Sequence, residues 1–185
     1  MKVVVCWSGM QGYIAACLRA LNALPDVDLH VFHLDFHDLP FQEELLNGVP
    51  NERMVAGAPN ADLSDKIVAL DPDLVFLCGW FYPQYRALAF EPRLRRAKFV
   101  LGMDTPWIGS WQQRVNQVRL KSFMRRMERV VVAGTRSADM ARRLDRAPGK
   151  IVTGLYGFDY MAFCERGGRK LDANPGWPKR FLFAG

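Results

Sequence analysis

A carboxylate follows a predicted buried strand at Asp104, with a hydroxyl and an indole directly behind it in the segment GMDTPW. Asp104 lies two residues beyond Gly102, which ends the strand, and Thr105 and Trp107 come next. A carboxylate held near aromatic walls can accept a hydrogen bond from a substrate hydroxyl and raise its nucleophilicity, which is general-base chemistry. Asp104 before Thr105 and Pro106 also matches a helix N-cap followed by proline, and the two interpretations are compatible.

A glycine turn follows the first apolar run of the chain, in the segment SGMQGY. Two glycines permit close approach of the backbone, and the helix that follows offers free N–H groups and the positive end of its dipole. An anion or a sugar could therefore bind at Ser8, Gly9, Met10, Gln11 and Gly12. Ser8 and Gln11 are also spaced as a capping box for that helix. The pattern is not G-x-G-x-x-G, which disfavours a dinucleotide, and a tight turn without a ligand is the alternative.

Two more loops follow predicted strands. In GWFYPQY, the side chains of Trp80, Phe81 and Tyr82 could stack on a sugar ring or a lipid-like acceptor, and the alternative is that they pack against a neighbouring helix. In AGTRSADM, either Thr135 or Ser137 has the position of a helix cap. In an open parallel sheet, ligands bind outside the carboxyl ends of the strands, so these loops are where a ligand is expected.

The metal-binding and redox signals are weak. The three histidines are His30, His33 and His37, and strand alternation points the first two to opposite faces, so we expect no metal site. The four cysteines show no C-x-x-C pairing, which suits free thiols in a reducing compartment. The first apolar run is too short for a signal peptide or a membrane span, so a cytoplasmic location is predicted.

Apolar runs alternate with segments of helical periodicity along the chain. The predicted strands cover 2–7, 29–34, 74–78, 98–102, 129–133 and 150–154, and the predicted helices cover 13–24, 61–70, 112–128 and 137–145. A loop punctuated by proline and glycine occupies 48–60. Strands alternating with helices at this spacing predict an α/β fold, a doubly wound parallel sheet of the Rossmann type.

Charge is divided unevenly between the two halves. Residues 1–92 carry 5 Lys/Arg against 12 Asp/Glu, a net of −7, and residues 93–185 carry 20 against 7, a net of +13, which gives the chain its net +6. Within 112–129, cations flank apolar positions that recur at helical spacing, which predicts an amphipathic helix with a cationic outer face. That face is either a solvated surface or a contact with anionic lipid or an acidic substrate. No motif typical of nucleic-acid binding accompanies the charge.

Segments spread over the whole chain resemble the first domain of family 4 glycosyltransferases, which have the two-Rossmann (GT-B) architecture. They are SGMQGY, DPDLVFLCGW, VLGMDTPW, RVVVAGTRSADMARRL and KIVTGLYGFDYMAF. Gly157 and Asp159 occupy the positions of the family's G-x-D turn. The final segment FLFAG, which ends at Gly185, resembles the opening strand of the family's second domain. The resemblance places these three residues on the donor or interdomain side of a cleft.

The resemblance implies a Rossmann-like acceptor domain at 1–164, a linker at 165–180 and the start of a nucleotide-sugar-binding domain at 181–185. It implies transfer of a sugar from a nucleotide-sugar to a sugar or lipid-linked acceptor, usually with retention of configuration and with no cofactor. Asp104 stands where the family often has a histidine, and it would orient the acceptor hydroxyl. Donor-binding residues belong to the second domain, so we expect no sugar transfer by these 185 residues alone. The strand 181–184 would dock on this domain or pair two molecules.

Two alternatives to a glycosyltransferase stay open. An NAD-type dinucleotide-binding domain is supported by analogy of fold alone. A non-catalytic binding module would use the aromatic loops for recognition and the basic helix to contact a partner or the inner face of an anionic membrane. Comparing the binding of nicotinamide dinucleotides with that of sugar nucleotides tests the first alternative. Salt-sensitive binding to vesicles would support the second.

Overall fold

The computed structural model describes residues 1–34, 45–54, 60–157, 160 and 164. The predicted linker, the strand 181–184, Asp159, Gly185 and His37 lie outside these residues. The strands are β1 (Lys2–Trp7), β2 (Asp28–Leu34), β3 (Asn51–Met54), β4 (Leu74–Leu77), β5 (Lys98–Met103), β6 (Met127–Val132) and β7 (Ile151–Thr153). The helices are α1 (Gly12–Asn22), α2 (Asn60–Leu70), α3 (Pro83–Leu88), α4 (Trp111–Arg119), α5 (Lys121–Arg126) and α6 (Thr135–Arg143), with 3-10 turns at Pro92–Leu94 and Pro148–Lys150.

The seven strands form one sheet in the order β3-β2-β1-β4-β5-β6-β7, and every neighbouring pair is parallel. At the centre of the sheet, Val4 of β1 lies opposite His30 of β2 on one side and Val75 of β4 on the other. The chain therefore builds outward from β1 to β3, returns to β4 and builds outward the other way. This confirms the predicted doubly wound parallel sheet and puts its switch point between β1 and β4.

Each face of the sheet buries its own hydrophobic core, because side chains alternate along every strand. From β1, Val4 and Cys6 enter one core together with apolar residues of α2, α3, α5 and α6. Val3, Val5 and Trp7 enter the other core, which is covered by α1. The buried Tyr85 of α3 donates its hydroxyl to the Trp7 carbonyl at 2.6 Å, which ties α3 to the end of β1.

Two elements were missed by sequence reasoning. β3 lies in the predicted loop 48–60, and its sequence NERM lacks the apolar alternation of a strand. It is an edge strand bonded to β2 alone, so polar and charged side chains are tolerated there. α3 begins at Pro83, inside the predicted aromatic loop, where proline suits the first turn of a helix.

The predicted helix 112–128 is wrong as one element. It consists of α4 and α5, which are separated at Leu120, and residues from Met127 belong to β6. The apolar positions are also divided: Phe123, Met124 and Met127 are buried, whereas Val115 and Val118 are exposed. The interpretation of one helix with an apolar inner face and a cationic outer face therefore fails for its first half.

None of the helices in the described part of the chain combines the length and the apolar character that crossing a membrane requires.

Candidate functional site

Four loops meet at the carboxyl edge of the sheet. They follow β1 at Ser8, β4 at Cys78, β5 at Asp104 and β7 at Gly154. β1, β4 and β5 are neighbours in the sheet, and β7 lies two strands beyond β5, so these loops can share a ligand.

The Asp104 carboxylate accepts a hydrogen bond from the hydroxyl of Tyr156, with 2.6 Å between the two oxygens. Both residues are exposed at this edge. Partial burial, together with the hydrogen bond and the negative charge of Asp104, raises the pKa of Tyr156 above its usual value. Tyr156 therefore stays a neutral hydroxyl, and its bond occupies Oδ2 of Asp104. Within the described residues, Oδ1 makes no hydrogen bond.

Tyr13, at the start of α1, completes a wall beside this pair. Its ring meets the ring of Tyr156 edge to face, with 4.9 Å between the ring centroids. Partial burial, and secondarily the charge of Asp104, raises the pKa of Tyr13. Two tyrosines from opposite ends of the chain thus border one carboxylate, and both present neutral hydroxyls near it.

On the β4 side, Ser8 lies beside the Cys78 thiol and the Tyr82 hydroxyl. Burial raises the pKa of the Cys78 thiol to about 12, although the neighbouring Ser8 opposes the shift. Burial likewise raises the pKa of Tyr82. Cys78 is therefore a protonated thiol at neutral pH and a poor nucleophile, and the polar groups on this side are uncharged.

The segment after Asp104 is held by side chains from two helices. Ser137 of α6 donates its hydroxyl to the Asp104 carbonyl at 2.7 Å. The buried Gln113 of α4 accepts from the backbone N–H groups of Ile108 and Gly109 at 2.9 and 3.1 Å and donates to the Pro106 carbonyl at 2.8 Å. These bonds position the loop that carries the carboxylate.

Three predicted helix caps are wrong. Asp104 does not cap a helix, because α4 begins at Trp111 and its N-cap Ser110 accepts from the Gln113 N–H. The capping box of Ser8 and Gln11 is absent, because α1 begins four residues after Ser8 and its N-cap Gln11 makes no side-chain cap bond. α6 has Gly134 at its N-cap, which places Thr135 and Ser137 inside the helix.

The other predicted site residues divide by burial. Met10 and Trp80 are buried in the two cores, which is the packing alternative for Trp80. Phe81 is exposed and stacks on Trp80 with 5.0 Å between ring centroids. The guanidinium of Arg143 covers the ring of Trp107 at 4.6 Å. Of the remaining residues, Gln11 and Gly12 are exposed, Thr105 is half-buried and Gly9 is buried.

Gly157 lies close against α1. A Cβ added at this position would be 3.1 Å from Sγ of Cys17, so a side chain there would press on that sulfur. The close approach brings the segment after β7 over the start of α1, and this is what lets Tyr156 reach Tyr13 and Asp104.

Tyr13 and Tyr156 were missed as site residues by sequence reasoning. Tyr13 ends the SGMQGY segment and Tyr156 lies in GLYGFD, so each follows a strand and stands beside a glycine. A search for polar aromatic residues in every such loop would have found both. Their pairing with Asp104 could not be found that way, because it depends on the order of the strands.

The two histidines in the described residues, His30 and His33, lie outside this edge cluster. His33 is buried in β2, and its Nε2 lies 3.4 Å from Oδ1 of Asn51 in β3. His30 packs against the ring of Phe32, with 4.9 Å between centroids.

The solved structures with a similar fold include several enzymes with UDP or a UDP-sugar bound. UDP-GlcNAc 2-epimerase from Neisseria meningitidis, bound to UDP-GlcNAc, superposes with a TM-score of 0.60 at 11% identity over 95% of this chain and 51% of its own. Anabaena Alr3699/HepE in complex with UDP gives a TM-score of 0.59 at 18% identity over 94% and 51%. S. aureus MnaA with UDP gives 0.55 at 11% identity over 82% and 44%. The chain therefore spans about half the length of these proteins.

No protein-family model matches the chain, and no curated protein does. At the identities of the solved structures, the likeness establishes the fold. The chain has the Rossmann-like α/β fold, with a seven-stranded parallel sheet, that is found in these GT-B type UDP-sugar enzymes.

Proposed function

We propose that this chain is the acceptor-binding part of a glycosyltransferase that uses a nucleotide-sugar. The observation that carries the proposal is the hydrogen bond between Asp104 and Tyr156 at the carboxyl edge, with Tyr13 beside it. The resemblance of the sequence to family 4 glycosyltransferases supports the same assignment, and so do the UDP-GlcNAc and UDP ligands of the structurally similar proteins.

The chemistry of the edge cluster favours a neutral, hydroxyl-rich ligand. A carboxylate accepts hydrogen bonds from sugar hydroxyls, and tyrosine rings offer apolar contact with a polar tip. Among the described residues, the charged group that acts on Tyr13 and Tyr156 is the Asp104 carboxylate. A carboxylate repels a diphosphate, whereas it accepts hydrogen bonds from neutral hydroxyls. The cluster therefore suits the acceptor, and the nucleotide-sugar is assigned to protein outside the cluster.

Asp104 has the role of orienting the acceptor hydroxyl. Tyr156 holds Oδ2 of the carboxylate, which leaves Oδ1 to accept the hydrogen bond of a substrate hydroxyl. A hydroxyl held in this way points its oxygen toward the sugar carbon that it attacks, which lowers the barrier by fixing the geometry. Transfer with retention follows from the resemblance and belongs to the same proposal.

Ligand-detected NMR with neutral sugars, UDP and UDP-sugars tests the assignment. We expect neutral sugars to bind, and we expect Asp104→Asn to weaken their binding by about 10-fold or more, since hydrogen bonds to charged groups contribute roughly 1.5–3 kcal/mol. Asp28→Asn, which removes an exposed carboxylate at the opposite edge, should leave binding unchanged. The acceptor assignment would be overturned if sugars did not bind and UDP bound at this edge with the same affinity in the Asp104→Asn variant.

A tyrosine titration followed by ultraviolet absorbance checks the contact itself. Because burial and the Asp104 carboxylate both favour neutral Tyr156, its pKa is raised in the folded protein. Asp104→Asn should therefore lower that pKa, so that tyrosinate appears at lower pH than in the unchanged protein. An identical titration curve in the two proteins would mean that Tyr156 and Asp104 do not interact.

Epimerisation of a nucleotide-sugar is the second candidate, since the N. meningitidis structure is a UDP-GlcNAc 2-epimerase bound to UDP-GlcNAc. Product analysis on the complete protein separates the two activities. An epimerase converts the nucleotide-sugar without an acceptor, whereas a transferase consumes it in proportion to the acceptor that is glycosylated. We expect the second result.

A further inference from the structure

The helix α4 exposes its apolar side chains. Trp111 is 69% exposed, Val115 39% and Val118 78%, and Ile108 just before the helix is 69% exposed. The three helical residues are spaced i, i+4 and i+7, so they form one stripe along a single face. Surface residues of this kind occur singly on most proteins, but a continuous stripe is a candidate interaction site.

The opposite face of α4 attaches the helix to the protein through polar groups. Gln113 is buried and makes three hydrogen bonds to the backbone of the preceding loop. Gln117 donates its side-chain amide to the Arg143 carbonyl of α6 at 3.1 Å. The helix is thus inverted relative to an ordinary surface helix, which buries its apolar stripe. Specific hydrogen bonds hold it in this orientation, so the exposed stripe is a fixed feature of the surface.

Arginines border the stripe on both sides. At about 100° per residue, Arg114 lies roughly 60° from Trp111 on one side and Arg119 roughly 80° on the other. Both are exposed, and neither makes an ion pair or hydrogen bond with another part of the described chain through its side chain. Residues 105–127 contain no Asp or Glu, so neither α4 nor the loop before it carries an acidic side chain that could neutralise these two arginines. The surface therefore combines apolar side chains with uncompensated positive charge.

We propose that α4 and Ile108 dock this protein on an anionic lipid surface. Ile108, Trp111, Val115 and Val118 enter the boundary between headgroups and acyl chains, and Arg114 and Arg119 contact the headgroup phosphates. In one interpretation of the sequence, the cationic face of one long helix contacts the lipid. In the present proposal, the apolar stripe of α4 is the part that inserts. Charge complementarity selects the occupant: a second copy would bring its own Arg114 and Arg119 against the same two arginines, whereas anionic lipid neutralises them. The inference does not depend on the proposed transferase activity.

Co-sedimentation with phosphatidylcholine vesicles, with and without phosphatidylglycerol, tests the docking. We expect binding to the anionic vesicles only. Trp111→Ser combined with Val118→Ser should weaken that binding by about 10-fold or more, since the two side chains lose their buried apolar area. The matched control is Leu24→Ser, which removes an exposed apolar side chain after α1 on the other side of the sheet. It should leave binding unchanged.

Charge variants separate docking by α4 from general attraction to a basic protein. Arg114→Gln with Arg119→Gln should weaken binding by roughly 25-fold, about fivefold for each cation. Arg95→Gln with Arg96→Gln changes the net charge equally at exposed positions near the amino edge of the sheet. This second pair should have a much smaller effect. Equal losses in both pairs would overturn the proposal in favour of diffuse electrostatic binding.

Two further results would also overturn it. A dimer in sedimentation velocity that the Trp111 and Val118 substitutions convert to a monomer would make this face a contact between copies. In the second result, the protein fails to bind vesicles and the same substitutions lower its folding equilibrium constant several-fold. That result would show that another segment of the chain covers the stripe.

Discussion

The helices α4 and α5 are neighbours in the chain and are oriented oppositely to the core. α5 (Lys121–Arg126) buries Phe123 and Met124 in the core, as an amphipathic surface helix does. α4 (Trp111–Arg119) turns its polar Gln113 inward and its Trp111 outward. Both are rich in arginine and both carry apolar residues at helical spacing. Composition and charge therefore do not tell which face of a helix is covered.

The difference arises from the phase of the apolar positions. Val118 and Phe123 are five residues apart, which on a continuous helix places them about 140° from each other. No single face could bury both the stripe of α4 and the apolar pair of α5. The helix breaks at Leu120, which is itself buried, and the apolar pair of α5 packs in the core. The apolar stripe of α4 stays at the surface.

The largest expected effect contrasts one apolar residue from each helix. Phe123→Ala in α5 should lower the free energy of unfolding by about 3–5 kcal/mol, because it leaves a cavity in the core. Val118→Ala in α4 should change it by less than about 0.5 kcal/mol, because that side chain is already in water. Urea denaturation followed by circular dichroism measures both. Equal losses would mean that α4 is packed against the protein through its stripe.

The anchor of α5 should give the next largest effect. Buried Arg146 donates to the Met124 and Met127 carbonyls at 2.9 and 2.8 Å, where α5 ends. Arg146→Met should lower the free energy of unfolding by about 2 kcal/mol, since both carbonyls lose their partner. The exposed Arg125→Met is the matched control and should stay within about 0.5 kcal/mol. If the two variants unfold at the same urea concentration, Arg146 does not anchor the helix.

Among the three buried side chains, the anchor of α4 should give the smallest loss of stability. Gln113→Leu leaves the Ile108 and Gly109 N–H groups and the Pro106 carbonyl without their partner. We expect a loss of about 1 kcal/mol, because these groups lie near the surface and water replaces part of the bonding. Hydrogen exchange of the Ile108 and Gly109 amides should accelerate in this variant and not in Gln112→Leu, whose side chain is exposed. Unchanged exchange would mean that Gln113 does not hold the loop.

Regular elements of the sheet were predictable because their signals are local. The apolar runs of β1, β2 and β5 start and end within two residues of prediction, since a strand buried on both faces is a continuous apolar segment. β3 was missed because an edge strand with Asn, Glu and Arg has no such signal. The helix break at Leu120 was missed because the apolar residues on its two sides were assigned to one helix face, although their angular positions around the helix axis differ.

The candidate site was predictable in its place and its carboxylate but not in its partners. Asp104 stands out from sequence because it follows a buried strand at the edge where ligands bind. Trp80 follows a strand in the same way and is nevertheless buried, since the core beneath that loop accepts its ring. The exposure of Asp104 and the burial of Trp80 could not be predicted from the two motifs, because burial depends on what covers each loop.

Sequence by itself determined the alternation of strands and helices, the doubly wound sheet and the edge at which ligands are expected, because these follow from periodicity within short segments. Tertiary structure alone decided that Tyr156, which is 52 residues beyond Asp104, donates to its carboxylate. The strand order places β7 two strands from β5, and no local pattern encodes that distance. Tertiary structure alone also decided that the apolar side chains of α4 face outward. The apolar residues of α4 and α5 point in different directions around the helix axis, and the core buries those of α5.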